Sequence, residues 1–253
     1  MKQTVFITGA TSGFGEACAN KFVSEGYRLI INGRRKERLE ALAESLKQQF
    51  GVDILIAPFD VRDREAVFAF VHSLPEDWKH IDVLINNAGL ALGRDNFEAA
   101  NLDDWDTMVD TNLKGVAYVS KAIIPLMIAA KSGHIINISS TAGKEIYPQG
   151  NMYCATKHAV SALSEAMRID LLPYNIKVTT ICPGAADTEF STVRFKGDKG
   201  LADKVYEGIT PLYAEDVADV IYYCASLPSH VCINDLVLTC TQQANSFFMH
   251  RNG

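Results

Sequence analysis

Short apolar runs alternate with longer stretches of helical periodicity along the whole chain. Runs such as Val5-Phe6-Ile7 and Ile135-Ile136 are apolar at consecutive positions rather than at every second one, the pattern of strands covered on both faces. They predict strands over Thr4–Thr8, Arg28–Asn32, Asp53–Pro58, Val83–Asn86, Gly133–Ile138, Lys177–Cys182 and Leu236–Thr239. Between them the 3.6-residue period predicts helices over Phe14–Glu25, Lys36–Phe50, Arg64–Ser73, Leu102–Ala130, Met152–Leu172 and Ala214–Ser226. Regular strand–helix alternation implies one α/β domain, a doubly wound Rossmann-type parallel sheet of about seven strands with helices on both faces. Such sheets bind ligands at the carboxyl ends of their strands, where strand order reverses. The segment 185–211 breaks the alternation; it is long, polar and mixed in charge, which predicts a lid over a site.

At 253 residues the length suits one large domain or two small ones, and the absence of a repeat or a Pro/Gly-rich linker favours one. A formal charge of -6 without any long basic run argues against nucleic-acid binding. No stretch is expected to span a membrane, and the N-terminus runs straight into a strand without the apolar core of a signal peptide. Cys18, Cys154, Cys182, Cys224, Cys232 and Cys240 form no Cys-x-x-Cys pair and no metal-ligand spacing. They read as reduced, mostly buried thiols, so the expectation is a cytoplasmic protein with no metal.

The chemistry begins where the first strand ends, in Thr8-Gly9-Ala10-Thr11-Ser12-Gly13-Phe14-Gly15, with a helix following at once. Glycines there permit a tight turn and a close backbone approach to a pyrophosphate, and the helix start offers free N–H groups to the anion. Gly9, Thr11, Ser12, Gly13, Phe14 and Gly15 are therefore candidate cofactor contacts. The second strand ends in Asn32-Gly33-Arg34-Arg35. A carboxylate at this position would suit the ribose hydroxyls of NAD, whereas Arg34 and Arg35 suit the 2′-phosphate of NADP(H). Cations at a helix start oppose its dipole, which strengthens the case for a phosphate ligand.

The spacing Thr-Gly-x-x-x-Gly-x-Gly resembles the glycine motif of the short-chain dehydrogenase/reductase family. Asn86-Asn87-Ala88-Gly89, Asn112, Ser139-Ser140, Tyr153-x-x-x-Lys157 and Pro183-Gly184 follow in that family's order, so the resemblance covers essentially the whole chain. It implies that Asp60 and Val61 bind adenine and that Asn87, with Ala88 and Gly89, lies at a ribose. It further implies that Pro183, Gly184 and Thr188 hold the nicotinamide end. It also implies a homotetramer built on the Leu102–Ala130 and Met152–Leu172 helices. The apolar tail Ser246-Phe247-Phe248-Met249 is expected to dock on a neighbouring subunit, or else on its own chain.

Tyr153 and Lys157 lie four residues apart, on one helix face. An ammonium beside a phenol favours the phenolate, and a tuned phenol can give a proton to a carbonyl oxygen or take one from an alcohol. Ser140 follows an apolar strand and should sit near the cofactor, with Ser139 as the neighbouring candidate. The family resemblance implies that Ser140 holds the reacting oxygen, that Asn112 orders a water behind the lysine, and that Lys157 contacts the ribose.

Asn86–Gly93 and the run Thr188–Asp198 are similar to an NADP-dependent subgroup acting on 3-hydroxy acids such as serine, L-allo-threonine and 3-hydroxypropionate. Related enzymes reduce sulfoacetaldehyde. The chain departs from that subgroup in a shortened Pro183-Gly184-Ala185-Ala186-Asp187-Thr188 and in Lys144-Glu145. All these substrates are small anions, and Arg194 is the candidate partner for the charge, with Lys196 beside it and Lys144 and Gln149 in reserve. A structural Arg194 would instead pair with Glu189, Asp198 or the tail. Sulfoacetaldehyde reduction, a broad carbonyl reductase, and a non-catalytic NADP(H)-binding regulator stand as the other readings.

Overall fold

The computed structural model describes residues 2–252. Its strands are β1 (Thr4–Ile7), β2 (Arg28–Asn32), β3 (Ile54–Ala57), β4 (Val83–Asn86), β5 (Gly133–Ile138), β6 (Ile176–Pro183) and β7 (Asp235–Leu238). They form one sheet in the order β3-β2-β1-β4-β5-β6-β7, parallel at every pairing. The order reverses between β1 and β4, so the expected crevice lies at their carboxyl ends.

The doubly apolar strands explain the layering. Successive side chains of a strand point to opposite faces. Val5, Ile7, Leu29 and Ile31 enter one core with Phe22 of α1 (Gly13–Ser24), Leu39 of α2 (Lys36–Phe50) and Ile221 of α9 (Ala214–Ser226). Phe6, Ile30 and Leu84 enter the other with Val67 of α3 (Arg64–His72), Ile123 of α5 (Val116–Ala130) and Met167 of α6 (Asn151–Leu171). Fully burying one such side chain contributes roughly 1.5–3 kcal/mol. That burial on both faces holds the strand ends, and the turns that follow them, in fixed register.

The helix expected over Leu102–Ala130 is continuous but not regular. It starts as α4 (Leu102–Val109), where the Asn101 side chain accepts from the Asp103 and Asp104 amides. It widens into a π-helical turn over Asp110–Gly115 and resumes as α5. One point of the sequence reading is corrected here: by length and composition this helix is apolar enough to cross a membrane. Its apolarity has an internal use, because Val119, Ala122, Ile123 and Met127 are buried in the second core.

The segment after β6 is tied at its base. Leu212 donates its amide to the Ala185 carbonyl, and Asp187 donates to Leu212. Between them stand two short helices that the sequence pattern did not show, α7 (Glu189–Arg194) and α8 (Lys199–Lys204). The tail packs on its own chain. Ser246 donates to the Glu145 carboxylate, Asn252 donates to the Gly208 carbonyl, and Arg251 donates to the Val205 and Glu207 carbonyls. Phe248 faces outward, 71% exposed.

Candidate active site

A cleft of about 640 Å³ opens at the carboxyl ends of the strands. Its floor is the glycine turn after β1. Gly9 has φ +67°, and a Cβ on it would stand 2.9 Å from the Ala88 Cα. Gly13 has φ +54° and faces Thr188. Gly15 serves packing rather than a ligand, because its Cβ would lie 2.3 Å from the Gly9 carbonyl oxygen. Glycine at these positions lets the turn close tightly at the start of α1, where free N–H groups suit a pyrophosphate. Thr11, Ser12 and Phe14 line the cleft with it, as do Val61, Ala88, Gly89, Pro183, Gly184 and Thr188.

Three of the expected cofactor contacts have additional or different duties. Asn87 donates its Nδ2 to the Thr8 and Gly9 carbonyls at 2.9 and 3.1 Å, so its amide group fastens the glycine turn. Asp60 receives the Arg62 guanidinium at 2.7 Å and lies 4.0 Å from Arg34. Burial pushes the Asp60 carboxyl up, but hydrogen bonds from Arg62 outweigh this and hold it below the usual carboxylate value. Thr188 caps α7 by accepting the Phe190 amide at 3.2 Å.

Arg34 is well exposed at the rim. Arg35 lies flat against the turn, with Nη2 donating to Thr11 Oγ1 at 2.9 Å and to Ser12 Oγ at 3.2 Å. Its Nη1 reaches Glu189 at 3.3 Å, and Arg38 reaches the same carboxylate at 2.9 Å. Arg38 escaped the sequence reading, and Glu189 entered it only as a partner for Arg194. Arg38 lies one helical turn beyond Arg35, a spacing that puts both on one face. The pairing of Glu189 with these arginines has no signal in sequence, because only the fold brings α7 to α2.

At the other end of the cleft Tyr153 and Lys157 are both buried. The Lys157 Nζ donates to the Ile138 carbonyl at 2.9 Å and stands 5.8 Å from the Tyr153 ring centroid. Burial pushes the Tyr153 phenol above its ordinary value and Tyr147 adds to this; a Ser140 hydrogen bond and the Arg194 charge pull it back. The sequence expectation of a phenol lowered by Lys157 is thus not met in the protein alone, where desolvation dominates. Burial also brings Lys157 itself down to about 8. Ser140 Oγ donates to the Pro183 carbonyl at 3.4 Å and faces the cleft. Ser139 also lines the cleft, but its hydroxyl donates to the Lys157 carbonyl at 3.0 Å, tying β5 to α6.

Asn112 sits inside the π-helical turn, a distortion found often at functional sites. Its Oδ1 accepts from the Leu90 amide at 2.8 Å, and its Nδ2 donates to the Leu90 carbonyl and to Thr156. Both amide protons are therefore used, and Asn112 ties the segment after β4 to α6.

Burial of Lys157 has a measurable consequence. Its folded-state pKa is below its unfolded value, so the unfolded chain binds more protons between the two. The cost of burying the ammonium is full below pH about 8 and is relieved as pH rises toward 10.5, its ordinary value. Urea melts of wild type and Lys157→Met across that range should show wild type gaining relative stability with pH. A difference that stays flat or falls would mean that the amine is not held in this state.

Arg194 enters the Tyr153 end of the cleft. Its Nε donates to the Gly93 carbonyl at 3.3 Å and its Nη1 to the Tyr147 hydroxyl at 3.2 Å. Its guanidinium lies 5.6 Å from the Tyr153 ring centroid. None of the structural partners expected of it, Glu189, Asp198 or the tail, is the one it takes. The reserve cations are engaged elsewhere, Lys196 with Asp104 and Lys144 with Asp235, each at 2.8 Å. Gln149 reaches Asn96. Phe190 packs against Tyr153 with ring centroids 5.7 Å apart and the planes tilted by 58°. Gln243 was also missed in sequence; its Oε1 accepts the Ala185 amide at 2.7 Å and closes the wall behind Gly184.

With this geometry in place, known proteins supply the comparison. The short chain dehydrogenase family model matches residues 3–199. The chain belongs to the short-chain dehydrogenase family. It is 47% identical over 250 residues to the NADP-dependent 3-hydroxy acid dehydrogenase YdfG of Salmonella typhi, covering 98% of this chain and 99% of that one. It is 45% identical over 249 residues to sulfoacetaldehyde reductase 2 of Chromohalobacter salexigens, covering 98% of each. The closed form of a serine dehydrogenase complexed with NADP+ superposes with a TM-score of 0.92 at 44% identity, covering 99% of this chain and all of that one. The chain is accordingly an oxidoreductase of this family, and its single parallel sheet is that family's Rossmann-like fold.

Proposed function

We propose that this short-chain dehydrogenase uses NADP(H) to interconvert a hydroxyl and a carbonyl on a small 3-hydroxy acid, serine, L-allo-threonine or 3-hydroxypropionate. The observation that carries the substrate class is Arg194, whose guanidinium stands beside the Tyr153 ring while its two hydrogen bonds go to neutral oxygens. A cation held this way keeps its charge for a substrate anion. The relatives named for 3-hydroxy acids, serine and sulfoacetaldehyde all act on small molecules that pair an anion with a reactive oxygen.

Bound at the glycine turn, the reduced cofactor supplies a hydride. Tyr153 donates its phenolic proton to the carbonyl oxygen, Ser140 holds that oxygen, and Lys157 tunes the phenol and contacts the cofactor ribose. A phenol held protonated by burial is matched to the reductive direction. Alcohol oxidation needs the phenolate, so its rate is expected to rise with pH. Residues 185–211 act as the lid, with Phe190 covering the catalytic tyrosine and excluding water. A homotetramer that covers the outward faces of α5 and α6 belongs to the same reading.

Replacing Arg194 with Ala should raise KM for 3-hydroxypropionate by at least about tenfold, since a charge-assisted bond is worth about 1.5–3 kcal/mol. An uncharged hydroxy ketone or alcohol of similar size should be affected little. Equal losses on both would mark Arg194 as part of the lid framework. Sulfoacetaldehyde reduction is the second reading, supported by the same cation; the ratio of kcat/KM for isethionate and 3-hydroxypropionate decides between them.

A further inference from the structure

The adenine end of the cleft holds an ion cluster whose role the proposed chemistry leaves unassigned. Glu189 opens α7, directly after Thr188 and directly before Phe190, the residue packed against Tyr153. Its carboxylate reaches across to the start of α2, where Oε1 lies 2.9 Å from Arg38 Nη1 and Oε2 lies 3.3 Å from both Arg38 Nη1 and Arg35 Nη1. Hydrogen bonds from Arg38, more than those from Arg35, hold the Glu189 carboxyl below its ordinary value. Arg35 keeps one N–H, on Nη1, outside its hydrogen bonds. Nε donates to Thr11 Oγ1, Nη2 donates to Thr11 and Ser12, and Nη1 faces Glu189. A phosphate that binds Arg35 through Nη1, the nitrogen with an N–H left over, meets Glu189 on that same nitrogen. Glu189 is the anion among the partners of Arg35, and a dianion repels it.

We propose that Glu189 is a cofactor-specificity residue that competes with the 2′-phosphate for Arg35 and thereby couples phosphate binding to the position of the lid. The inference rests on the assignment of Arg35 to that phosphate. When the phosphate takes Arg35, Glu189 keeps its shorter contact to Arg38, and the first turn of α7 moves with it. Thr188 and Phe190 share that turn, so an event at the adenine ribose is passed to the catalytic tyrosine. The coupling is reciprocal: the lid position that weakens the Glu189–Arg35 contact strengthens phosphate binding by the same factor. NAD(H), with a hydroxyl in place of the phosphate, cannot drive the exchange.

Calorimetric titration of the full-length protein with NADP+ and NAD+ tests this in wild type, Glu189→Gln, Arg35→Ala and the double variant. Glutamine keeps the shape and removes the charge at a half-exposed position, so folding should be retained. Glu189→Gln is expected to tighten NADP+ by about two- to fivefold at low salt and to leave NAD+ unchanged. The gain should shrink at high ionic strength and vanish in the Arg35→Ala background. Without cofactor, trypsin should cut the lid at Lys199 and Lys204 faster in Glu189→Gln than in wild type. Unchanged or weaker NADP+ binding by Glu189→Gln, with Arg35→Ala weakened as expected, would overturn the competition alone. Full NADP+ affinity in Arg35→Ala would overturn the phosphate assignment and the competition with it.

Discussion

Tyr153→Phe should lower kcat for carbonyl reduction by at least about a hundredfold, the low end of what a positioned proton donor contributes. NADPH affinity should stay within about twofold of wild type. The phenylalanine keeps the ring, and with it the contact to Phe190 and the place beside Arg194. Only the hydroxyl that faces Ser140 is lost. The buried phenol cannot be replaced by its neighbours. Tyr147 is engaged with Arg194, and the Lys157 amine donates to the Ile138 carbonyl. Rapid-quench measurement of a single turnover separates chemistry from binding. A variant with more than a tenth of wild-type turnover would mean that the proton comes from elsewhere.

The second large effect concerns cofactor choice. Replacing Arg34 and Arg35 together with Ala should cut the preference for NADP(H) over NAD(H) by at least about tenfold. Each charge-assisted bond to the phosphate is worth about 1.5–3 kcal/mol, and the lower figure applies to Arg34 at its exposed position. The loss should fall mainly on NADP(H), because the ribose hydroxyl of NAD(H) asks little of a guanidinium. The ratio of kcat/KM for the two cofactors is the measurement. An unchanged ratio would move the phosphate site to Arg38 or Arg62, the other cations at this end.

The fold could be read from sequence because both periods were clean. Consecutive apolar residues in β1, β2 and β5 announced strands covered on both faces, and each lies within a residue or so of its expected place. The placing of the candidate residues Tyr153, Lys157 and Ser140 at one cleft was legible for a related reason, since a helix face and a strand end fix where they point. What stayed hidden depended on contacts between distant segments. The π-helical turn at Asp110–Gly115 carries one helical period into the next, and no residue type marks it. Glu189 meets Arg35 and Arg38 only once β6 has carried α7 back across the sheet. Lys144 and Lys196 read as cleft cations, yet each has a carboxylate partner that sequence order does not bring near. The direction of the Tyr153 shift was misread because sequence shows a nearby ammonium but does not show desolvation.

Transfer of hydride from a 3-hydroxy acid to NADP+ tests the central claim most directly. Wild-type protein would be incubated with NADP+ and 3-hydroxypropionate deuterated at the carbinol carbon, and the nicotinamide product examined by mass spectrometry. Deuterium should appear in the reduced nicotinamide, with far less when NAD+ replaces NADP+ and almost none in Tyr153→Phe. Reduced cofactor without deuterium, or no reduction of NADP+ by any 3-hydroxy acid while an uncharged alcohol is oxidised readily, would contradict the assignment.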